Sequence, residues 1–149
     1  MNLCIFQQKS IYSIFKQVGW QNIDTSQIQC GGSIYNESVI ITAAHCCDGI
    51  IGNDPIFWDI DYQIVAGELS IEEHSGYEQI SKIESYVIHP GYDKTTIQND
   101  VCLLYLKTPF DLSGTMAKPI ELTEEDPQDG TTCDISGWGT LKVSATLYI

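Results

Sequence analysis

Apolar residues in this chain come in short runs rich in β-branched side chains, each closed by turn formers, and long helical periodicity is hard to find. Ser33 to Tyr35 and Val39 to Thr42 read as a hairpin around Asn36-Glu37. Gln63 to Gly67 reads as a strand with Ile64 and Val65 at its apolar centre. Gln79 to Ile88 alternates apolar and polar residues and stops before Pro90-Gly91, and Val101 to Leu106 reads as another buried strand. Lys107 to Gly130, with Pro109, Pro119 and Pro127, reads as an extended connector. Thr132 to Ser136 then starts a further strand before Gly137-Trp138-Gly139. This pattern predicts an all-β barrel or sandwich. The Gly- and Asp-rich stretch from Asp48 to Asp61 reads as a surface loop anchored by Phe57-Trp58, with a cleft wall as its alternative role.

The 149 residues suit one domain, or one and a half small all-β lobes, and a hydrophobic content of 43 % is enough for a core. Twenty acidic residues against seven basic ones give a net charge of −13. Such a surface repels phosphate backbones and anionic lipid, so nucleic-acid and membrane partners are not expected. No apolar run is long enough to span a bilayer. The N-terminal stretch is broken by Gln7, Gln8, Lys9 and Ser10 and makes a poor signal peptide.

Six cysteines, Cys4, Cys30, Cys46, Cys47, Cys102 and Cys133, point to an oxidising compartment. No pair has the C-x-x-C spacing, and adjacent Cys46-Cys47 cannot easily share one metal, so disulfides fit better than zinc. Beside Cys46 stands His45, after the small residues Thr42-Ala43-Ala44 and the apolar stretch Val39-Ile40-Ile41. A histidine fixed by a buried strand has the rigidity a general base needs. By itself, however, it reads as a satisfied core or turn residue. Asp100 stands immediately before an apolar strand, where a carboxylate needs a partner to justify its burial. Taken alone, it reads as a turn cap.

Four separated motifs decide between these readings. They are Cys30-Gly31-Gly32-Ser33, Thr42-Ala43-Ala44-His45-Cys46, Asn99-Asp100-Val101-Cys102-Leu103-Leu104 and Ser136-Gly137-Trp138-Gly139-Thr140. In this order and approximate spacing they resemble the chymotrypsin/trypsin family of serine proteases, arthropod trypsin-like members above all. The resemblance implies the first six-stranded antiparallel barrel of a two-barrel fold, with the connector and first strand of the second barrel. It divides the chain into an atypical segment 1–16, a partial protease domain 17–140 and an atypical tail 141–149. His45 takes the role of general base, and Asp100 that of the carboxylate which orients it. Cys30 and Cys46 match the family disulfide behind the histidine, a short loop whose closure is worth about 3 kcal/mol. Cys47 and Cys102 each lie two residues past a member of the pair. If His45 and Asp100 touch, these cysteines come close as well, which suggests a second disulfide. Cys133 matches a family cysteine, and Cys4 has no counterpart.

No cofactor is required by this resemblance, and the acidic stretch 68–78 reads either as a plain surface loop or as a structural calcium site. Glu68 and Glu78 have the ten-residue spacing of the trypsin calcium loop, whose carbonyl ligands fall at Ser70 and Glu73. Ser75 replaces a further family glutamate. The expected partner of a full-length form is a protein or peptide substrate, and family and cysteine content together point to an extracellular location. Two family features are missing from the 149 residues: an Ile-Val-Gly-Gly start and the Gly-Asp-Ser-Gly-Gly segment that carries the serine nucleophile. The expectation is a truncated domain without turnover. The alternatives are a non-catalytic homologue that binds a partner, or a non-functional partial gene product.

Overall fold

The computed structural model describes residues 11–16, 28–50, 62–67 and 76–122. Among these described residues, six strands and one short helix follow in the order β1 (Ile11–Lys16), β2 (Ile28–Asn36), β3 (Val39–Thr42), α1 (Ala44–Ile50), β4 (Tyr62–Ala66), β5 (Gln79–Ile88) and β6 (Cys102–Leu106). The strands close into an antiparallel barrel in the order β1-β2-β3-β6-β5-β4, with β1 pairing back onto β4. Barrel, rather than sandwich, is therefore the architecture. It is the six-stranded antiparallel unit that the chymotrypsin-like resemblance implies.

Alternation along the strands builds the core. In β6, Cys102, Leu104 and Leu106 point inward, and in β3, Ile40 and Thr42 do so. Ile40, Cys102, Leu104 and Leu106 form one apolar cluster with Ile34 and Ile64 that also takes in Ile83, Phe110 and Ala117. The alternation of β5 slips between Ile83 and Ser85, where the register with β6 shifts by a bulge. The segment after β6 contains no strand or helix among its described residues 107–122, yet it is anchored. Phe110 donates its amide to the Glu37 carbonyl at 2.8 Å, and Ile120 donates to the Ile34 carbonyl at 2.7 Å. Gly67 has φ +80°, and a Cβ there would lie 2.7 Å from the Tyr77 carbonyl oxygen, so only glycine allows this backbone approach.

Four boundaries differ from the sequence reading. Strand β2 begins at Ile28 and runs through Gly31-Gly32, because Ser13 and Tyr12 of β1 are ladder partners of the two glycines and outweigh the weak strand propensity of glycine. Val101 is exposed, and β6 starts one residue later. Residues 11–16, within the segment read as atypical, form a barrel strand whose Ile-Tyr-Ser-Ile-Phe sequence suits a pleated surface. Finally, His45 is not held by a strand: β3 ends at Thr42, and His45 is the second residue of α1. The stretch read as a loop from Asp48 begins inside that helix, since Asp48 to Ile50 close α1. Its remaining residues 51–61, the strand at Thr132–Ser136, and Cys4 and Cys133 lie outside the described residues. Among the described residues, no helix is long and apolar enough to cross a membrane.

Candidate active site

The chain turns from β3 into α1 through Ala43, whose carbonyl accepts hydrogen bonds from the amides of Cys46 at 3.2 Å and Cys47 at 3.5 Å. Alanine is the best helix former, and the small residues of this turn leave room for the tight bend. The first amides of a helix have no partner within it. Here Asp100 meets that need from 55 residues away. Its Oδ1 accepts the His45 amide at 2.8 Å, and its Oδ2 lies 2.8 Å from Nδ1 of the same residue. One carboxylate thus caps the helix and fixes the imidazole that the helix carries.

Asp100 is itself held by a tight turn. The Val101 amide donates to the Asn99 carbonyl at 2.8 Å, a bond that spans only Asp100. Before it, Ile97 and Asn99 both have positive φ, 56° and 54°. Asn99 tolerates this conformation well, and its Nδ2 donates to the Gly91 carbonyl at 2.8 Å. The rest of the loop closes through His89, whose amide donates to the Val101 carbonyl at 2.9 Å, and Asp93, whose amide donates to the Gln98 carbonyl at 3.0 Å. Lys94 reaches from the loop to Asp48 on α1 at 2.9 Å. The loop and helix are tied by this ion pair as well as by the His45–Asp100 contact.

Burial pushes the Asp100 carboxyl up, while four other effects pull it down. These are the hydrogen bond to the His45 ring, the hydrogen bond from the His45 amide, the charge of the imidazolium, and the Ala44 amide. Together they outweigh burial and place the group below its ordinary carboxylate range. The Tyr92 hydroxyl is pushed upward, first by desolvation and then by the negative charges of Asp100 and Asp48.

The His45 side chain is 56 % exposed, against 21 % for Asp100. In the neutral imidazole, a carboxylate on Nδ1 favours the tautomer with its proton there and its lone pair on Nε2. The Nε2 atom lies 3.5 Å from Cys46 Sγ. That is a contact only, since a disulfide sulfur has no proton to donate. Cys46 is bonded to Cys30, and Cys47 to Cys102, with Cα separations of 6.2 and 6.6 Å. The ligand atoms of Cys30, His45 and Cys46 come within 4.8 Å of one another, but both sulfurs belong to the disulfide and offer no thiolate to a metal.

Of the residues singled out in the sequence, the structure brings together His45, Asp100 and the four cysteines. Among the calcium candidates, Glu78 accepts the Gly76 amide on Oε2 at 2.8 Å. Glu68, Ser70 and Glu73 lie outside the described residues, as does the segment from Ser136 to Thr140. Two contributors to the site were missed by sequence reasoning. One is the Ala44 amide, whose only signal is the helix-forming pair Ala43-Ala44. The other is the Lys94–Asp48 ion pair, which has no local signal.

Known proteins are similar to this chain over most of its length. The family model described as Trypsin matches residues 7–147. The chain is 36 % identical over 113 residues to trypsin V-A of Rattus norvegicus, covering 76 % of this chain and 41 % of that protein. It is 36 % identical over 113 residues to trypsin zeta of Drosophila melanogaster, covering 75 % and 37 %. Against kallikrein-14 of Homo sapiens it is 32 % identical over 119 residues, covering 80 % and 40 %. An all-β barrel that sets a histidine on an aspartate, matched along nearly its whole length, places this chain in the trypsin family of serine proteases. The chain spans about two fifths of the length of these curated relatives. The family match also extends into both end segments, 1–16 and 141–149, that the sequence alone sets apart.

Proposed function

We propose that this chain supplies the general base and the orienting acid of a serine endopeptidase that cleaves protein or peptide substrates in an oxidising, extracellular compartment. The observation that carries the reading is the 2.8 Å contact between His45 Nδ1 and Asp100 Oδ2, with an exposed imidazole beyond it. In that arrangement Nε2 accepts the proton of a serine hydroxyl as it attacks the scissile carbonyl, and later returns it to the leaving amine. Asp100 keeps the ring in the tautomer with its lone pair on Nε2 and stabilises the imidazolium as it forms. Two disulfides beside the pair support an oxidising location.

The 149 residues include no Gly-Asp-Ser-Gly-Gly segment, so this stretch alone holds base and acid without the nucleophile or its oxyanion-hole amides. The purified 149-residue chain is expected to show no phenylmethylsulfonyl-fluoride-sensitive peptide hydrolysis, and detectable turnover of that kind overturns this part of the reading. In a form that includes a serine-bearing segment, Asp100→Asn is expected to lower kcat by about 10⁴-fold. A loss of less than tenfold removes Asp100 from the mechanism.

The same reading includes a structural calcium held by Glu68, Glu78 and the carbonyls of Ser70 and Glu73. The backbone approach of Gly67 to Tyr77, the residues just before the two glutamates, supports it. So does the oxygen-rich donor set, which suits a hard cation. Calcium is expected to raise the melting temperature, and an unchanged value ends the proposal.

A further inference from the structure

Helix α1 follows β3 directly, and β3 lies between β2 and β6 in the barrel. Successive residues of an α-helix project about 100° apart. Cys46 and Cys47 therefore leave the helix in different directions, and each reaches a different neighbour of β3. Cys46 bonds Cys30 on β2, and Cys47 bonds Cys102 on β6. A helix with one such anchor can pivot about it; anchors on both sides of β3 remove that freedom. The end of β3 is tied in the same manner. Thr42 is the strand partner of Cys102, and its hydroxyl donates to the Gly31 carbonyl at 2.8 Å.

The two bonds are not equivalent. Cys30–Cys46 joins the helix to β2, a strand that bears neither His45 nor Asp100. Cys47–Cys102 joins the residue two past His45 to the residue two past Asp100. It is a covalent link between the two segments whose spacing sets the 2.8 Å contact. Cys47 is 1 % exposed and Cys102 0 %, so the link sits in close-packed surroundings that leave it little slack. The non-covalent ties at this end are weaker. A seven-residue helix does not persist by itself, and water competes for hydrogen bonds around a half-exposed imidazole. A reacting pair nevertheless has to be held within about 0.5 Å.

We propose that the Cys47–Cys102 disulfide is a positioning element that holds His45 on Asp100, so that severing it uncouples the pair while the barrel wall stays folded. The proposal rests on the reading of His45 and Asp100 as a base and its orienting acid. It is tested by proton NMR of the low-field Nδ1–H signal of His45, a readout that needs no turnover. The intact chain is expected to show the signal. Cys47→Ala/Cys102→Ala is expected to lose most of it while keeping the amide dispersion of the barrel, and Cys30→Ala/Cys46→Ala is expected to keep the larger share. A merely structural bond lowers stability but leaves the signal of the folded molecules in place, so full retention in Cys47→Ala/Cys102→Ala overturns the proposal. Equal loss in both double variants overturns it too. Stepwise phosphine reduction of the intact chain, with alkylation mapping, asks the same question where a variant does not fold. The signal must then fall in step with labelling of Cys47 and Cys102, and a fall that tracks Cys30 and Cys46 instead is a negative result. If the intact chain shows no signal at all, the His45–Asp100 pairing fails, and the proposal with it. Failure of the proposal alone leaves the intact signal standing.

Discussion

In the barrel wall, Ile34, Ile40, Ile64 and Leu104 are fully enclosed, and each strand pairs on both sides. Where α1 meets the loop at 89–101, the residues are mostly exposed. Order there comes from directional bonds: Asp100 to His45, Asn99 to Gly91, Lys94 to Asp48, and two disulfides. The wall gains its stability from apolar area removed from water, which tolerates small shifts. The site depends on individual hydrogen bonds, each worth about 1 kcal/mol net, and gains geometry rather than bulk stability from them. A chain built this way can change its site residues without unfolding, but cannot change its wall so freely.

The comparison is broken most directly at Leu104. Leu104→Ala removes a fully buried side chain between β3 and β5, and is expected to cost about 2–5 kcal/mol in urea unfolding. A loss below 1 kcal/mol contradicts a close-packed wall. A smaller effect, and one that depends on pH, is expected at Asp100. Its carboxyl titrates lower in the folded chain than in the unfolded one. The unfolded state therefore takes up the proton first as pH falls. The stability this group contributes is complete above the ordinary carboxylate range and is lost as pH drops toward the lowered folded value. The stability gap between the parent chain and Asp100→Asn should narrow through that acid window, and a gap independent of pH contradicts the assignment. The smallest effect is expected at Ile97, a β-branched residue at φ 56° with its side chain half exposed. Ile97→Gly relieves a left-handed conformation that costs about 1–2 kcal/mol, but loosens the unfolded chain, leaving a net gain of about 0.5–1 kcal/mol. Destabilisation here would mean that the exposed Ile97 side chain has a packing role.

The strands that read clearly from sequence were those with clean alternation between strong turn signals. Gln79–Ile88 and Val39–Thr42 are found at the expected residues. Strand β2 was legible only in part, because Gly31 and Gly32 carry no strand signal and owe their conformation to pairing with β1. Helix α1 was not legible: seven residues, two of them cysteines, are too few to show a helical period, and an aspartate 55 residues away caps the first turn. The meeting of His45 with Asp100 has no local signal at all. It was legible through the family resemblance of the flanking motifs, as was the pairing of Cys30 with Cys46. The link from Cys47 to Cys102 followed from that meeting, since equal offsets from two touching residues bring their neighbours together.

Closure of the barrel rests on one six-residue segment, Ile11–Lys16, which pairs with β2 on one side and β4 on the other. Remove it and the ring becomes an open sheet with two bare edges, each presenting unpaired amides and carbonyls. Such edges are templates onto which another chain can add a strand. Protection of this molecule against self-association therefore depends on a segment far from His45 and Asp100 in the barrel order, and clipping of the chain between Lys16 and Ile28 would be felt first as a change in solubility.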